Sequence, residues 1–205
     1  MVTVRNETQV DVRARNAVLD VAYGPARFKK PSERLRRGRL PALSMVATVD
    51  RQVIGTVRLW NVALDGYRPA LVLGPLAVHP DWRSRGVGAA LMERAIRNAR
   101  LTGHRAILLV GDAAYYERFG FSAEKTGGLV LPGLTEQHRM LGLELAPGAL
   151  DGVHGVIKAT GQPARAPRAA RRGSRRIVQP GVQGRLKNLC PQVETSRDRR
   201  AASLH

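Results

Sequence analysis

Cysteine is nearly missing from this chain: Cys190 stands alone among 205 residues. A single cysteine can form neither an internal disulfide nor a cysteine-cluster metal site. Long apolar runs are missing too, and no stretch reaches the ~18 residues that a membrane span requires. The opening residues, Met1-Val-Thr-Val-Arg-Asn-Glu, go straight into a polar alternating pattern without a secretory apolar stretch. These absences lead us to expect a cytoplasmic protein with no membrane span. Aromatics amount to 4 %, and none interleaves with the basic run Arg171-Arg-Gly-Ser-Arg-Arg176, so that run offers no platform for stacking bases. Acids are also scarce: 16 Asp and Glu face 34 Lys and Arg, a net charge of +18.

The charge is unevenly placed. Residues 161–205 hold eleven Arg and Lys against two acids, half of the positive excess in under a quarter of the length. This segment contains Pro163, Pro167, Pro180 and Pro191 and shows little apolar periodicity, so it cannot bury enough surface to offset its ordering entropy. The expected organisation is one domain over 1–158 and a basic, disordered tail over 159–205. A weak, non-specific polyanion contact is the modest role such a tail suggests.

Within the domain, the pattern predicts an α/β (α+β) fold. Val2 to Arg5 alternates like a first strand, and Asp11 opens a helix that carries Val12, Val18 and Val21. Ala26 to Arg39 is a basic connection or short helix. Leu43 to Val49 and Val53 to Val62 read as strands joined by a turn at Asp50-Arg51-Gln52. Asp65-Gly66 is a hairpin signal, followed by a strand over Leu71 to Val78. A helix through Met92, Ala95 and Ala99 precedes the apolar strand Arg105 to Val110. A short helix at Tyr115–Phe119, a strand after Phe121 and a last strand at Met140 to Leu145 complete the reading.

The most informative stretch is Leu71-Val-Leu-Gly-Pro-Leu-Ala-Val-His-Pro80, then Asp81-Trp-Arg-Ser-Arg-Gly-Val-Gly-Ala-Ala90. A strand runs into a tight Arg/Gly turn that opens a helix. The N-terminus of a helix carries unpaired N–H groups and about half a positive charge, so it attracts anions. Gly86 and Gly88 remove side chains that would hold a phosphate away from those groups, and Arg83 and Arg85 add full charges beside them. A second block follows: Gly111-Asp-Ala-Ala-Tyr-Tyr116-Glu-Arg-Phe-Gly120-Phe121.

Together, Arg83-x-x-Gly86-x-Gly88 after Leu76-Ala77-Val78 and a tyrosine four residues before Gly120-Phe121 resemble the GNAT N-acetyltransferase superfamily. The match is to a bacterial subgroup whose second block reads Gly-Asp-x-x-Tyr-Tyr-x-Arg-Phe-Gly-Phe. The resemblance implies a mixed, mostly antiparallel central sheet flanked by helices, with a V-shaped splay between two central strands. It also implies acetyl-CoA as co-substrate. The pyrophosphate would sit on Arg83, Ser84, Arg85, Gly86, Val87, Gly88 and Ala89. Pantetheine would pair with the backbone of Leu76, Ala77 and Val78, whose side chains remain free to serve the core. No metal is implied, and Cys190 lies outside the domain, so no covalent acetyl-enzyme is needed.

Tyr116 is the catalytic candidate. Transfer to an amine requires a neutral nucleophile and a proton for the departing thiolate, and a phenol with a reference pKa near ~10 suits that donation. Tyr115 points about 100° away on a helix and is left to packing, with core packing of both rings as the plainer alternative. Asp112 fits an N-cap. His79 is a candidate base, although its place between Val78 and Pro80 can turn it to solvent. The cluster Arg27, Lys29, Lys30, Arg34, Arg36, Arg37 and Arg39 falls where the resemblance puts the acceptor side. It reads equally as a solvated basic surface or as recognition of an acidic acceptor or of the CoA 3′-phosphate. The expected activity is acetyl transfer to a primary amine by direct attack in a ternary complex, the acceptor being a small molecule or a protein amine. The alternative is an acyl-CoA-binding regulatory or RNA- or ribosome-associated protein that works through its tail. A monomer or a homodimer suits either.

Overall fold

The computed structural model describes residues 1–164. Their order is β1 (Thr3–Asn6), α1 (Val12–Tyr23), β2 (Leu43–Val49), β3 (Gln52–Leu64), β4 (Arg68–Val78), α2 (Val87–Leu101), β5 (Ala106–Val110), α3 (Ala113–Tyr116), β6 (Leu129–Val130), β7 (Met140–Glu144), β8 (Gly155–Val156) and β9 (Lys158–Ala159). Seven strands make one sheet in the order β1-β2-β3-β4-β5-β7, with β9 added beside β3. Within it only the β4–β5 pair is parallel. This is the mixed, mostly antiparallel sheet flanked by helices that the sequence implies.

Local chemistry sets the hairpins and the faces. Asp50 and Arg51 both take left-handed φ, 47° and 66°, as do Asp65 and Gly66 at 52° and 79°. Positive φ at both central residues matches the twist of two antiparallel strands. Alternation then sorts the side chains. Leu71 and Ile107 face Leu91, Met92, Ala95 and Ala99 of α2. Val72 and Leu108 face the other way, toward Trp60, Leu129, Met140 and Ile157. Helix α1 places Val18 and Leu19 on Val46, Val53 and Ala77. Arg94, Arg97 and Arg100 form the exposed face of α2.

The central opening has a local cause. Opposite β3, Leu73 pairs with Leu59 but Leu76 pairs with Val57, so Gly74 and Pro75 share the place opposite Arg58. Proline brings no N–H to a ladder. On the other side, β4 meets β5 only at Leu71↔Ile107 and Val72↔Leu108. Past that point β5 stays with β7 as far as Val110↔Met140, and β4 stays with β3 as far as Val78↔Gly55. The two strands diverge, and the V lies between them.

The connection or short helix expected over 26–39 consists of two short 3-10 segments, Gly24–Lys29 and Pro31–Leu35, each with proline near its start. Two expectations are corrected. The strand expected after Phe121 shrinks to a single bridge, Ser122↔Gly142, and the next strand, β6, pairs with β8 instead. Of residues 159–164, read from the sequence as the start of the tail, Ala159 joins the sheet and the others bond to the main chain beside it. Ala159 lies opposite Val62, Leu40 N–H donates to Gln162 O at 2.8 Å, and Ala164 N–H donates to Gly38 O at 2.9 Å. The remainder of the expected tail, Arg171–Arg176 and Cys190 included, lies outside the described residues.

Candidate active site

The open edge of β4 is the backbone of the site. His79 N–H donates to Ile54 O at 2.8 Å, which makes Ile54–His79 a hydrogen-bonded pair. In an antiparallel ladder such pairs alternate. Ala77 therefore turns its main chain toward β3, whereas Leu76 and Val78 turn theirs into the V. The Leu76 carbonyl is already engaged there, accepting from the Tyr23 hydroxyl at the end of α1. At the bulge, Trp60 Nε1 donates to Gly74 O at 2.6 Å.

The turn after β4 carries the chain from the sheet edge to α2. Pro80–Trp82 make one 3-10 turn, Ser84 and Gly86 have φ of 58° and 76°, and Val87 begins the helix. Gly86 is the N-cap and has no capping side chain. The first intrahelical bond runs from Ala90 N–H to Gly86 O at 3.0 Å, so the N–H groups of Val87, Gly88 and Ala89 lack helical partners. Open space surrounds the missing Cβ of Gly86. Gly88 also has a packing role: a Cβ there would meet Tyr115 Oη at 2.9 Å, so its bareness seats that phenol. Arg83, Ser84 and Arg85 are exposed around the turn, and Arg85 lies over the Trp82 ring at 5.1 Å. The hollow beside this turn has a volume of about 460 Å³ and reaches Val78, Tyr115 and Arg118.

Across the V stands the second block. Asp112 caps α3, its Oδ1 accepting from Ala114 N–H at 3.2 Å. The helix lasts only to Tyr116 and tightens into a 3-10 turn over Glu117–Phe119 before Gly120. Tyr116 packs edge-on to Tyr115 and Phe121, at 4.9 and 6.0 Å between ring centres. Gly111 is what lets it do so, since a Cβ there would fall 2.3 Å from the Tyr116 ring. Burial first, then the neighbouring Tyr23 and Tyr115 hydroxyls, push the Tyr116 phenol up to about 12. Among the described residues no protein group hydrogen-bonds its hydroxyl. Tyr116, Tyr23, Leu76, Ala77, Val78, Arg83 and Gly88 line one pocket of about 240 Å³. Of the sequence-predicted residues, Ser84, Gly86, Val87 and Ala89 line the neighbouring hollow beside the turn instead, and Arg85 lines neither.

Other residues sort themselves by position. His79 caps the Pro80–Trp82 turn, its Nδ1 accepting from Asp81 N–H at 3.4 Å, and it lines none of the pockets around Tyr116. Arg27, Lys30 and Arg36 of the basic cluster reach the V together with Tyr23 and Tyr116, while Lys29 and Arg34 are exposed. Sequence reasoning missed Tyr23, Arg15, Arg58 and Trp60. Arg15 and Arg58 converge on Glu7, whose side chain is only 4 % exposed, and nothing local in the chain brings these three together. Among the described residues no group of three or more His, Cys, Asp or Glu is placed to hold a metal ion.

Comparison with known proteins agrees with this arrangement. A model of the acetyltransferase (GNAT) domain matches residues 41–123. Over 159 residues the chain is 30 % identical to the uncharacterized N-acetyltransferase YhbS of Escherichia coli K12, covering 76 % of this chain and 94 % of YhbS. A shorter match, 34 % over 84 residues, links it to the E. coli N-acetyltransferase YjhQ and spans 46 % of that protein and 40 % of this one. The crystal structure of E. coli YhbS in complex with CoA superposes with a TM-score of 0.68 at 29 % identity, covering 78 % of this chain and 89 % of that one. A GNAT family acetyltransferase from Brucella melitensis in complex with acetyl-CoA gives 0.62 at 26 % identity, covering 78 % and 96 %. The chain belongs to the GNAT family of N-acetyltransferases.

Proposed function

We propose that this protein moves the acetyl group of acetyl-CoA to a primary amine by direct attack in a ternary complex. The observation that carries the reading is the divergence of β4 from β5, which leaves the Leu76 and Val78 main chain without a strand partner between the Gly86 turn and Tyr116, the Leu76 carbonyl being held by Tyr23. A pantetheine arm, itself built of amides, has the chemistry to pair with such an edge. The pyrophosphate would take the free N–H groups of Val87, Gly88 and Ala89, with Arg83 and Arg85 beside them. The CoA-bound and acetyl-CoA-bound relatives support the same donor.

In the proposed reaction the nitrogen lone pair forms the N–C bond, the C–S electron pair leaves on sulfur, and one proton passes from nitrogen to sulfur, giving amide and thiol. Tyr116 relays that proton: its hydroxyl gives one to sulfur and recovers one from nitrogen. The Val78 N–H is the candidate donor to the oxyanion that forms in between. The phenol, with its raised pKa, stays protonated well into the alkaline range, so the donor form is present wherever the amine is neutral.

Calorimetric titration with acetyl-CoA tests the donor site, with Gly86→Glu as the control. A side chain at this left-handed position costs about 1–2 kcal/mol of backbone strain, and the added carboxylate repels phosphate. Saturable binding to the native chain, lost in a variant that still melts cooperatively, is the expected result. No binding to a well-folded native chain would overturn the reading and move the alternative of an RNA- or ribosome-associated protein working through its tail ahead.

A further inference from the structure

Beyond the V, on the side of the bulge away from the phosphate turn, lies a second hollow of about 380 Å³. Its wall includes five guanidinium groups, those of Arg15, Arg27, Arg36, Arg37 and Arg58, beside Trp60. Glu33 is the only acid on that wall, and it accepts from Arg36 Nε. Glu7 lies behind and holds Arg15 and Arg58, and Arg27 reaches outward to Asp20 at 2.7 Å. Positive groups thus outnumber the acids that touch them.

Arg36 is the decisive member. Its side chain is 8 % exposed, yet only Nε has a protein partner, and among the described residues both Nη groups lack one. Nη1 lies 3.8 Å from where a Cβ at Gly74 would stand, directly over the β4 bulge. Arg36, Arg27 and Pro75 also line the small pocket that Tyr23, Leu76 and Tyr116 share, so the arginine-lined hollow borders the Tyr116 side of the V. Arg27 Nε is buried and without a partner, whereas the Arg36 Nη groups keep contact with solvent. A buried donor without an acceptor is costly, and guanidinium forks match carboxylate and phosphate oxygens.

We infer that the acceptor amine carries an anionic group, a carboxylate or a phosphate, which Arg36 clamps in the arginine-lined hollow while the amine points toward Tyr116. The inference rests on the acetyl-transfer reading and narrows it. Polyamines and other acceptors whose second charge is positive would be repelled by the same wall, and a neutral amino-alcohol would leave the Nη donors unsatisfied. Selectivity therefore comes from the far end of the acceptor, not from its nitrogen.

The test uses the full chain and four probes of similar size: β-alanine, O-phosphoethanolamine, ethanolamine and putrescine. Each is titrated by ligand-observed NMR, with and without saturating CoA, and then assayed for thiol release from acetyl-CoA. The expected result is that one or both anionic probes bind at least ~10-fold more tightly than ethanolamine, with no binding of putrescine. The two anionic probes separate a carboxylate acceptor from a phosphate acceptor. Arg36→Gln should raise the KM for the preferred probe ~10-fold or more, leaving kcat and acetyl-CoA affinity within about twofold, and Arg36→Lys should recover only part of the loss. If Arg36→Gln does not fold, Arg27→Gln, which removes a less buried guanidinium, should weaken the same probe selectively. Equal binding of ethanolamine and the anionic probes, or preference for putrescine, overturns the inference. A native chain that binds the anionic probes but not acetyl-CoA would instead sink the acetyl-transfer reading and leave the hollow an anion site.

Discussion

Gly111 and Tyr116 act together because the ring lies where a Cβ at residue 111 would be, 2.3 Å from it. Gly111→Ala should therefore displace the phenol without touching the donor site, costing about 1–3 kcal/mol of stability as overpacking does. Turnover should fall nearly as far as in Tyr116→Phe while acetyl-CoA affinity stays constant; calorimetry and steady-state kinetics on both variants check this. Tyr116→Phe itself should lower kcat by about 10²-fold, the smaller end of what a positioned proton donor contributes. The phenol also makes a statement about pH. Its folded pKa is raised to about 12, so the required protonated form persists through the alkaline range. Activity should rise from about pH 7 to about pH 10 as the acceptor amine loses its proton, without a falling limb. A loss of kcat beginning near pH 9 would contradict the assignment of this group as the acid.

At the level of elements, α1 matters because its last residue, Tyr23, reaches the open edge of β4. The 3-10 turn Gln9–Asp11 that leads into that helix is fixed by a capping box in which Asp11 accepts from Thr8 N–H at 2.8 Å, and Asp11 also accepts from Arg5 Nη1 and Nη2 at 2.7 and 2.8 Å. The Arg5 guanidinium, then the Thr8 groups, hold the Asp11 carboxyl well below the usual carboxylate range against the opposing effect of burial. A depressed folded pKa means that this stabilisation is complete above the unfolded value of about 4 and is lost as pH falls beneath it. Asp11→Ala should cost about 1 kcal/mol at neutral pH, as the loss of a cap does, and should flatten the decline of Tm in acid. Thermal melts of both chains from pH 7 down to pH 2 test it. How legible these elements were follows from how local their causes are. β2 could be read to the residue because its apolar run stops at the Asp50-Arg51 turn. Two-residue strands such as β8 and β9 carry no pattern of their own and exist only where a partner strand meets them. Arg58 looks like a surface residue until Glu7, far away in the chain, joins it to Arg15.

At the level of the whole molecule, the sheet closes with the last described residues. Thr160 N–H and Gly161 N–H both donate to Asn61 O, at 3.1 and 3.2 Å, and Gln162 and Ala164 tie down Leu40 and Gly38. We propose that the folded domain therefore extends to Ala164 and that the residues after it are dispensable for donor binding. A chain ending at Ala164 should keep its Tm and its acetyl-CoA affinity. One ending at Ile157 should lose several backbone hydrogen bonds and about 5 °C or more in Tm, and should bind anionic acceptors less well because Gly38 borders the arginine-lined hollow. Equal melting of the two truncations would show that β9 contributes nothing.

The unpaired stretch of β4 has a consequence for solubility. A strand edge with free N–H and C=O groups is a template on which another chain can add, and proteins ordinarily blunt such edges with charge, bulges or a covering element. Here the edge is internal. Its foot is shut by the Leu71–Val72 pairing with β5, its carbonyl at Leu76 is held by Tyr23, and its bulge lies beside Arg58. A narrow opening of this kind should favour a single slender chain over a second sheet, and so keep the edge from seeding aggregation, with the Tyr23 hydroxyl satisfying the Leu76 carbonyl when nothing else pairs there.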